Sequence, residues 1–336
     1  MAKRYASSRG RGAAAVLLLA VTVIGMIVGA RLLEKKMAVP IVNHGEQLTS
    51  HTTARNTAQV FVNGRWYAER NLETVLVMGV DDAEGLIENN SYNNNHQTDF
   101  LMLFLHDVDT GRSAAIHINR DTMTDITTLG VTGQKTGTRR AQLALAYNYG
   151  SGDHVSSNNV VEAVERLLYG MQVDHYITLA MDAVPIINDW AGGVTVEVLD
   201  DFTGIDDAMV KGQLIRLQGQ QALTYVRMRK GLDDSSNLHR MERQRQYATQ
   251  WVTSAQRKLT NSESVADLVM QLSGNYRSSC TAEELYGFAQ NLSANPSVPA
   301  YELKGEAIKG EEHIEFYADE QALQQLVLEL FYVPVE

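Results

Sequence analysis

The sequence predicts an α/β layered domain, and three observations predict it. Strand-like and helix-like stretches interleave from Leu72 to about residue 255, the pattern of helices packed on a sheet. The first strands are continuous apolar runs, as burial on both faces requires. The turn Asp107-Val108-Asp109-Thr110-Gly111 is short enough to demand an antiparallel hairpin. At 336 residues the chain can bury a full-sized core, as one large domain or two smaller ones.

The chain opens with Lys3, Arg4, Arg9 and Arg11, followed by the uncharged, almost wholly apolar run AAAVLLLAVTVIGMIVGA. With Leu32 and Leu33 this approaches the roughly 20 residues that cross a bilayer. The preceding cations set the N-terminus in the cytoplasm and the body outside. Residues 1–12 are then a cytoplasmic tail, 13–33 a transmembrane helix and 34–71 a stalk with one edge strand. Val28-Gly29-Ala30 also resembles a signal-peptidase site, so a cleaved signal peptide is the competing reading and a buried core helix the third.

The first strand, Thr74–Val80, ends on Asp81. Residues 82–98, AEGLIENNSYNNNHQT with its leading Asp82, read as a long loop of the functional or mobile kind. Asp99 enters the second strand, Phe100–Leu105, and the third, Ser113–Ile118, leaves through Asn119-Arg120-Asp121-Thr122. The hairpin between the last two brings Asp99 and Arg120 to one sheet edge. If the first two strands are also antiparallel, Asp81 joins them. The alternative is that each is an ordinary polar residue at a strand end. An amphipathic helix at Asn159–Leu168, a strand at Asp174–Ala180, a helix at Met181–Trp190 and an alternating strand at Gly193–Leu199 follow. Residues 72–258 form the expected main domain. Two helices within 261–293, a hairpin of Tyr301–Ala307 with His313–Tyr317, and a helix at Glu320–Leu330 make 259–336 a flank or subdomain.

The densest positive charge lies between Ala222 and Tyr247, with Arg227, Arg229, Lys230, Arg240, Arg243 and Arg245. As an extended run, Tyr225–Arg229 puts Arg227 and Arg229 on one face. Asn237 is the expected N-cap of a helix from Leu238. Met241, Ala248, Val252 and Ala255 make its core stripe, with Arg240, Arg243, Gln244 and Tyr247 on a neighbouring face. Cations in a first turn oppose the helix dipole, and a bound anion would resolve the conflict. Solvation, or pairing with Asp233, Asp234 and Glu242, is the plainer alternative.

Composition excludes several classes. The net charge is −11, and residues 1–36 carry seven Lys/Arg against one Glu, so the body is more acidic still and unsuited to general nucleic-acid binding. Cys280 is the sole cysteine, which rules out an intramolecular disulfide. The nine histidines form no HExxH pair; His106 and His117 sit in strand-like runs as core or surface residues. No dinucleotide fingerprint, Walker A loop or G-x-S-x-G elbow is present. Two aspartates with substrate phosphates make a typical Mg²⁺ site, and guanidinium forks clamp phosphate oxygens. Such parts suit phosphoryl transfer.

Six segments resemble the LytR-CpsA-Psr family of bacterial cell-envelope proteins. They are VLVMGVDD at Val75–Asp82, TDFLMLF at Thr98–Phe104, HINRDTMTDI at His117–Ile126, AGGVTVEV at Ala191–Val198, GQQALTYVRMRK at Gly219–Lys230 and NLHRMERQRQY at Asn237–Tyr247. The resemblance implies an α/β/α sandwich around a mixed sheet, with a groove for a polyprenyl tail. It implies a single-pass membrane enzyme whose body faces outward. That enzyme is a Mg²⁺-dependent phosphotransferase moving a glycopolymer, teichoic acid or polysaccharide, from an undecaprenyl-pyrophosphate carrier to peptidoglycan.

Carried over by motif, the metal falls to Asp81 and Asp99. The pyrophosphate falls to Arg120, Arg227, Arg229, Arg240 and Gln244, with Arg120 and Asp99 as the catalytic pair and Asp99 or another carboxylate as base. Arg243 is unassigned, and Lys230 and Arg245 are left to solvent. The chain departs from the family at Gln97-Thr98-Asp99, where Arg-Ser-Asp is common, at Asn119, where proline is common, and at Tyr149-Gly150-Ser151-Gly152, where Gly-Gly is. The missing arginine at 97 motivates a second reading, a polyprenyl-phosphate-binding envelope or regulatory protein that transfers nothing. A polyprenyl-pyrophosphate hydrolase is a third.

Overall fold

The structure is a computed structural model. It describes residues 59–335, apart from 83–85, 87–91, 93, 153, 233–235, 260–261, 282–283, 285–286, 289–290, 292–297 and 312. The expected transmembrane run, most of the Asn-rich loop, and Asp233 and Asp234 lie outside the described residues. Among the described residues no helix is long and apolar enough to cross a membrane.

The chain begins with two strands, β1 (Gln59–Val62) and β2 (Arg65–Glu69), paired antiparallel about the Asn63-Gly64 turn. The last strand, which lies at Tyr332–Pro334, adds to β2. Residues 59–69, expected as stalk with one edge strand, are therefore a folded hairpin. Val60 and Tyr67 on its inner face pack against the main core.

The central sheet is built on β3 (Leu72–Val80), β4 (Thr98–Asp107) and β5 (Ser113–His117), each antiparallel to the next. After β6 (Met123–Leu129), β7 (Lys135–Gln142), a 3₁₀ turn at Leu143–Asn148 and α1 (His154–Leu167), strand β8 (His175–Ala180) pairs parallel with β3. The register Val75↔His175 to Val80↔Ala180 puts β3 at the centre, which is why its sequence is apolar at nearly every position. Alternation then splits the core. Val75 and Val77 face one layer, while Leu76 and Met78 face the other.

The first layer contains α2 (Ala183–Trp190), the hairpin of β9 (Val194–Glu197) with β10 (Leu214–Leu217), α3 (Gln220–Arg227), α4 (Asn237–Leu259) and α5 (Ser262–Gln271). Trp190 stacks on Trp251 with centroids 6.0 Å apart. The opposite layer holds β6, the 3₁₀ turn and α1. Strand β11 (Tyr276–Ser278) edges β8, and β12 (Ala300–Glu302) runs parallel beside β5. The C-terminal hairpin is β13 (Gly305–Lys309) with β14 (Ile314–Ala318), so Tyr301 belongs to the main sheet, not to that hairpin as its position had suggested. Helix α6 (Glu320–Phe331), capped by Asp319, buries Leu323, Val327 and Phe331 in the second layer and leads into β15 (Tyr332–Pro334). The second of the two helices expected in 261–293 falls partly on residues outside the description.

Two local expectations are corrected around α3 and α4. Tyr225–Arg227 is the last turn of α3, not an extended run; Ala222, Leu223, Tyr225 and Val226 are its buried face. Packing of that 3.6-period stripe outweighs the alternation read from Val226 and Met228. Arg227 and Arg229 therefore do not share a strand face. Helix α4 starts at Asn237, and the cap is Ser236, whose Oγ accepts from the His239 N–H at 3.2 Å. That frees the Asn237 side chain for another partner.

Candidate functional site

Strands β3 and β4 pair regularly from Leu72↔Asp107 to Gly79↔Phe100, then skip, so that Val80 faces Thr98 and Asp99 has no partner. Asp99 is thus the extra residue of a β-bulge, a device that re-aims one side chain. Unbroken alternation would send it to the side of Leu101 and Leu103, in the second layer. Released from the ladder, it instead reaches Arg240 on α4, in the first.

Two guanidiniums meet on that carboxylate. Arg120, at the exit of β5, donates its Nη1 to Asp99 Oδ1 and its Nη2 to Gln97 Oε1. Arg240 donates Nη1 to the same Oδ1 at 3.0 Å and Nη2 to the Asp99 carbonyl at 3.2 Å. Arg240 Nη2 also reaches Asn237 Oδ1 at 2.6 Å, and Asn237 Nδ2 reaches Asn119 Oδ1 at 2.6 Å. Asn119 Oδ1 in turn accepts the Asp121 N–H at 2.9 Å, which fixes the turn carrying Arg120. Arg240, poorly placed for the dipole of α4, thus finds its anion within the protein.

Asp81 completes the edge. Its Oδ1 accepts the Gln97 N–H at 2.7 Å, and its own N–H donates to the Gln97 carbonyl at 3.0 Å. Asp121 lies on the far side of Arg120, 3.5 Å from its Nε, and its Oδ2 is 3.8 Å from Arg229 Nη1. The three positions read onto one sheet edge, Asp81, Asp99 and Arg120, do converge there. Arg229 joins them at longer range, and Arg227 is exposed on the last turn of α3. Gln244 is buried and donates its Nε2 to the Val226 carbonyl at 3.3 Å.

Electrostatics separates the three carboxylates. Burial raises the proton affinity of Asp99, but Arg240 and Arg120 outweigh it and hold its pKa below the ordinary range. Burial lifts the pKa of Asp81, and the Asp99 charge lifts it further. Burial also lifts Asp121, against the pull of Arg120, Arg229 and Arg240. Arg240 pays for its position: desolvation brings its pKa down to about 10, with Asp99 opposing. The Nε atoms of Arg120 and Arg240 are buried without a hydrogen bond, that of Arg120 facing Asp121 at ion-pair distance and that of Arg240 unmet. Buried donors rarely stay unmet, and guanidinium N–H groups of this kind are the donors an oxyanion takes.

Among the described residues no group of three or more His, Cys, Asp or Glu side chains forms a metal cage. Asp81 and Asp99 are a pair: the side-chain bonds described above fall on Oδ1 of each, and their charges repel. That donor set matches a hard cation that keeps waters and phosphate ligands, and does not match a zinc-type site. A cavity of about 350 Å³ lined by Arg70, Leu72, Asp107, Tyr301 and Leu330 lies at the opposite end of β3 and β4, away from these groups.

Some participants were not legible. Gln97 enters through its side-chain oxygen, and Asn119 and Asn237 through a long-range amide pair. Asp200 was not singled out, yet it is fully buried and ion-paired with Arg243, which is itself fully buried. Arg245, assigned to solvent, is instead paired with Glu302 and lies 3.3 Å from His117 Nδ1. The residue that partners it is on β12, which nothing local ties to β5. Lys230 is exposed.

A mixed sheet layered by helices, with arginines from separate segments gathered on bulged and strand-end carboxylates, defines an anion-handling α/β protein. The comparisons place it more narrowly. The model of the LytR_cpsA_psr family matches residues 39–331, and the chain belongs to that family. A curated relative, the polyisoprenyl-teichoic acid–peptidoglycan teichoic acid transferase TagU of Bacillus subtilis (strain 168), is 26% identical over 258 residues, 76% of each chain. Among solved structures, TagT bound to LI-WTA superposes with a TM-score of 0.57 at 20% identity, covering 77% of this chain and 89% of that one. B. subtilis TagV gives 0.56 at 21% identity, covering 78% and 96%. At those identities the two structures speak for the fold alone.

Proposed function

We propose that this protein transfers a glycopolymer from a polyprenyl-pyrophosphate carrier to peptidoglycan outside the cell, anchored by the apolar run at 13–33. The observation that carries the reading is the convergence of Arg120 and Arg240 on Asp99, with the buried Nε of Arg240 unmet. Family membership and the printed name of the TagU relative supply the class of substrate.

Asp81 and Asp99 would hold Mg²⁺, which when bound neutralises pyrophosphate charge. Arg120, Arg240 and Arg229 orient the pyrophosphate, and Arg227 is within the same arm. The hydroxyl oxygen of the acceptor sugar attacks the phosphorus that carries the polymer. A new P–O bond forms as the bond to the polyprenyl phosphate breaks, and the guanidiniums stabilise the charge left on that phosphate. The hydroxyl proton goes to a carboxylate. Asp99, held ionised by two arginines, is a weak base and serves as their anchor; Asp121, with its raised pKa and no part in the metal pair, is the better acceptor.

Replacing Arg120 with Ala should abolish release of polyprenyl phosphate from a lipid-pyrophosphate substrate while the thermal melting curve stays cooperative. Unchanged turnover in that variant sinks the mechanism. The fork of Arg120 is already engaged by Asp99 and Gln97, which favours the second reading, a carrier-binding protein without transfer. Incubating the purified protein with substrate and Mg²⁺ separates the two, because a binder retains the lipid and releases no phosphate product.

A further inference from the structure

Helix α3 ends one residue before Met228, and its last carbonyls must find donors outside the helix. The Thr224 carbonyl takes the Met228 N–H at 3.0 Å. The Tyr225 carbonyl takes Arg243 Nε at 2.8 Å, the Val226 carbonyl takes Gln244 Nε2 at 3.3 Å, and the Met228 carbonyl takes Arg243 Nη2. Two successive side chains of α4 therefore close the C-terminal end of α3. A guanidinium there also complements the negative end of the helix dipole.

The cap is itself braced. Arg243 Nη1 pairs with Asp200, and neither side chain has solvent exposure, at 0% each. The Arg243 guanidinium lies 5.7 Å from the centroid of the Phe202 ring, and that ring stacks on Tyr225 at 5.7 Å and 28°. Every donor group of Arg243 is spent on the protein, and none points at the Asp99 cluster. Immediately after the capped carbonyl comes Arg229, whose Nη1 faces Asp121 across 3.8 Å.

We infer that Arg243, Gln244 and Asp200 are positioning residues: they fix the exit of the chain from α3 and so set where the Arg227–Arg229 arm meets the anion. This rests on the reading of the site as a pyrophosphate site, and it gives Gln244 a capping bond beside the ligand contact that the resemblance implies. The cap needs the planar fork, since a lysine ammonium opposite Asp200 cannot also serve the carbonyls of Tyr225 and Met228.

The test uses the full chain and the variants R243K, Q244A, R229A and R243K/R229A, with geranyl pyrophosphate and Mg²⁺ as the probe. R243K should weaken probe binding about tenfold, and Q244A by a few-fold. In the R229A background R243K should cost no more than R229A alone, which a merely structural role would not produce. Hydrogen exchange of the probe-free protein should show faster amides at Met228–Leu232 in R243K. A tenfold loss that persists undiminished in R229A overturns the inference. So do unchanged affinity or unchanged exchange in R243K. If the wild-type chain binds no geranyl pyrophosphate, the pyrophosphate reading fails, and the exchange measurement still decides whether the cap fixes the arm.

Discussion

Arg240 and Arg243 stand one turn apart on the same helix, both almost without exposure, at 2% and 0%. Arg243 has one oxygen of Asp200, whose other oxygen lies 2.8 Å from His239 Nδ1, two backbone carbonyls and an aromatic ring beneath it. Arg240 shares its carboxylate with Arg120 and keeps one buried donor unmet. Burial therefore does not distinguish the two; what separates them is that Arg243 has every donor group spent and Arg240 has not.

The largest expected effect tests the structural member. R243A leaves Asp200 buried with only the His239 ring, 2.8 Å away, beside it and two backbone carbonyls without their donor, so unfolding free energy should fall by about 3–5 kcal/mol, read from urea melts. R240A should cost clearly less, because Asp99 keeps Arg120. Equal losses would erase the distinction. The next effect is on chemistry: R240A should lower turnover by about 10²–10³-fold, the usual cost of one charge-stabilising donor, with release of polyprenyl phosphate assayed directly.

A smaller effect is expected with pH. His117 is buried beneath Arg245 and Arg240, and burial first, then those charges, holds its pKa well below the ordinary histidine value. Its folded pKa is depressed, so its contribution to stability is fully present above the unfolded value of about 6.5 and is lost as pH falls through that window toward the folded pKa. Stability should decline by up to about 1.4 kcal/mol per pH unit below 6.5, and H117Q should flatten that slope. The smallest effect concerns the start of α4. S236A should cost about 0.5–2 kcal/mol while leaving substrate binding intact, since Asn237 rather than Ser236 touches Arg240.

The sheet edge was legible because a five-residue turn forces its own geometry. Once Asp107–Gly111 closes a hairpin, Asp99 and Arg120 must be neighbours. The antiparallel pairing of β3 with β4 then delivers Asp81. Helix α3 was not legible. Eight residues long, it is decided by the packing of Leu223 and Val226 and by a cap drawn from α4, neither of which has a local signature. The Asp200–Arg243 pair spans 43 residues, and Arg245–Glu302 joins α4 to β12. A charge of unknown partner reads as solvated until the fold supplies the partner. The family resemblance named Arg120, Arg227, Arg229 and Arg240, and geometry was needed to see that Arg120 and Arg240 meet on Asp99 while Arg227 is exposed.

The unmatched residue of β4 has one more consequence, for how such a chain can change. Its two strands count residues differently on either side of Asp99, so the position of that carboxylate depends on the length of the strand. Losing a single residue between Thr98 and Phe100 would let the ladder close in even step, with the sheet intact and the carboxylate gone. A one-codon deletion there would remove the carboxylate and leave a folded sheet, an outcome that the register of the ladder makes as accessible as a single exchange of side chains.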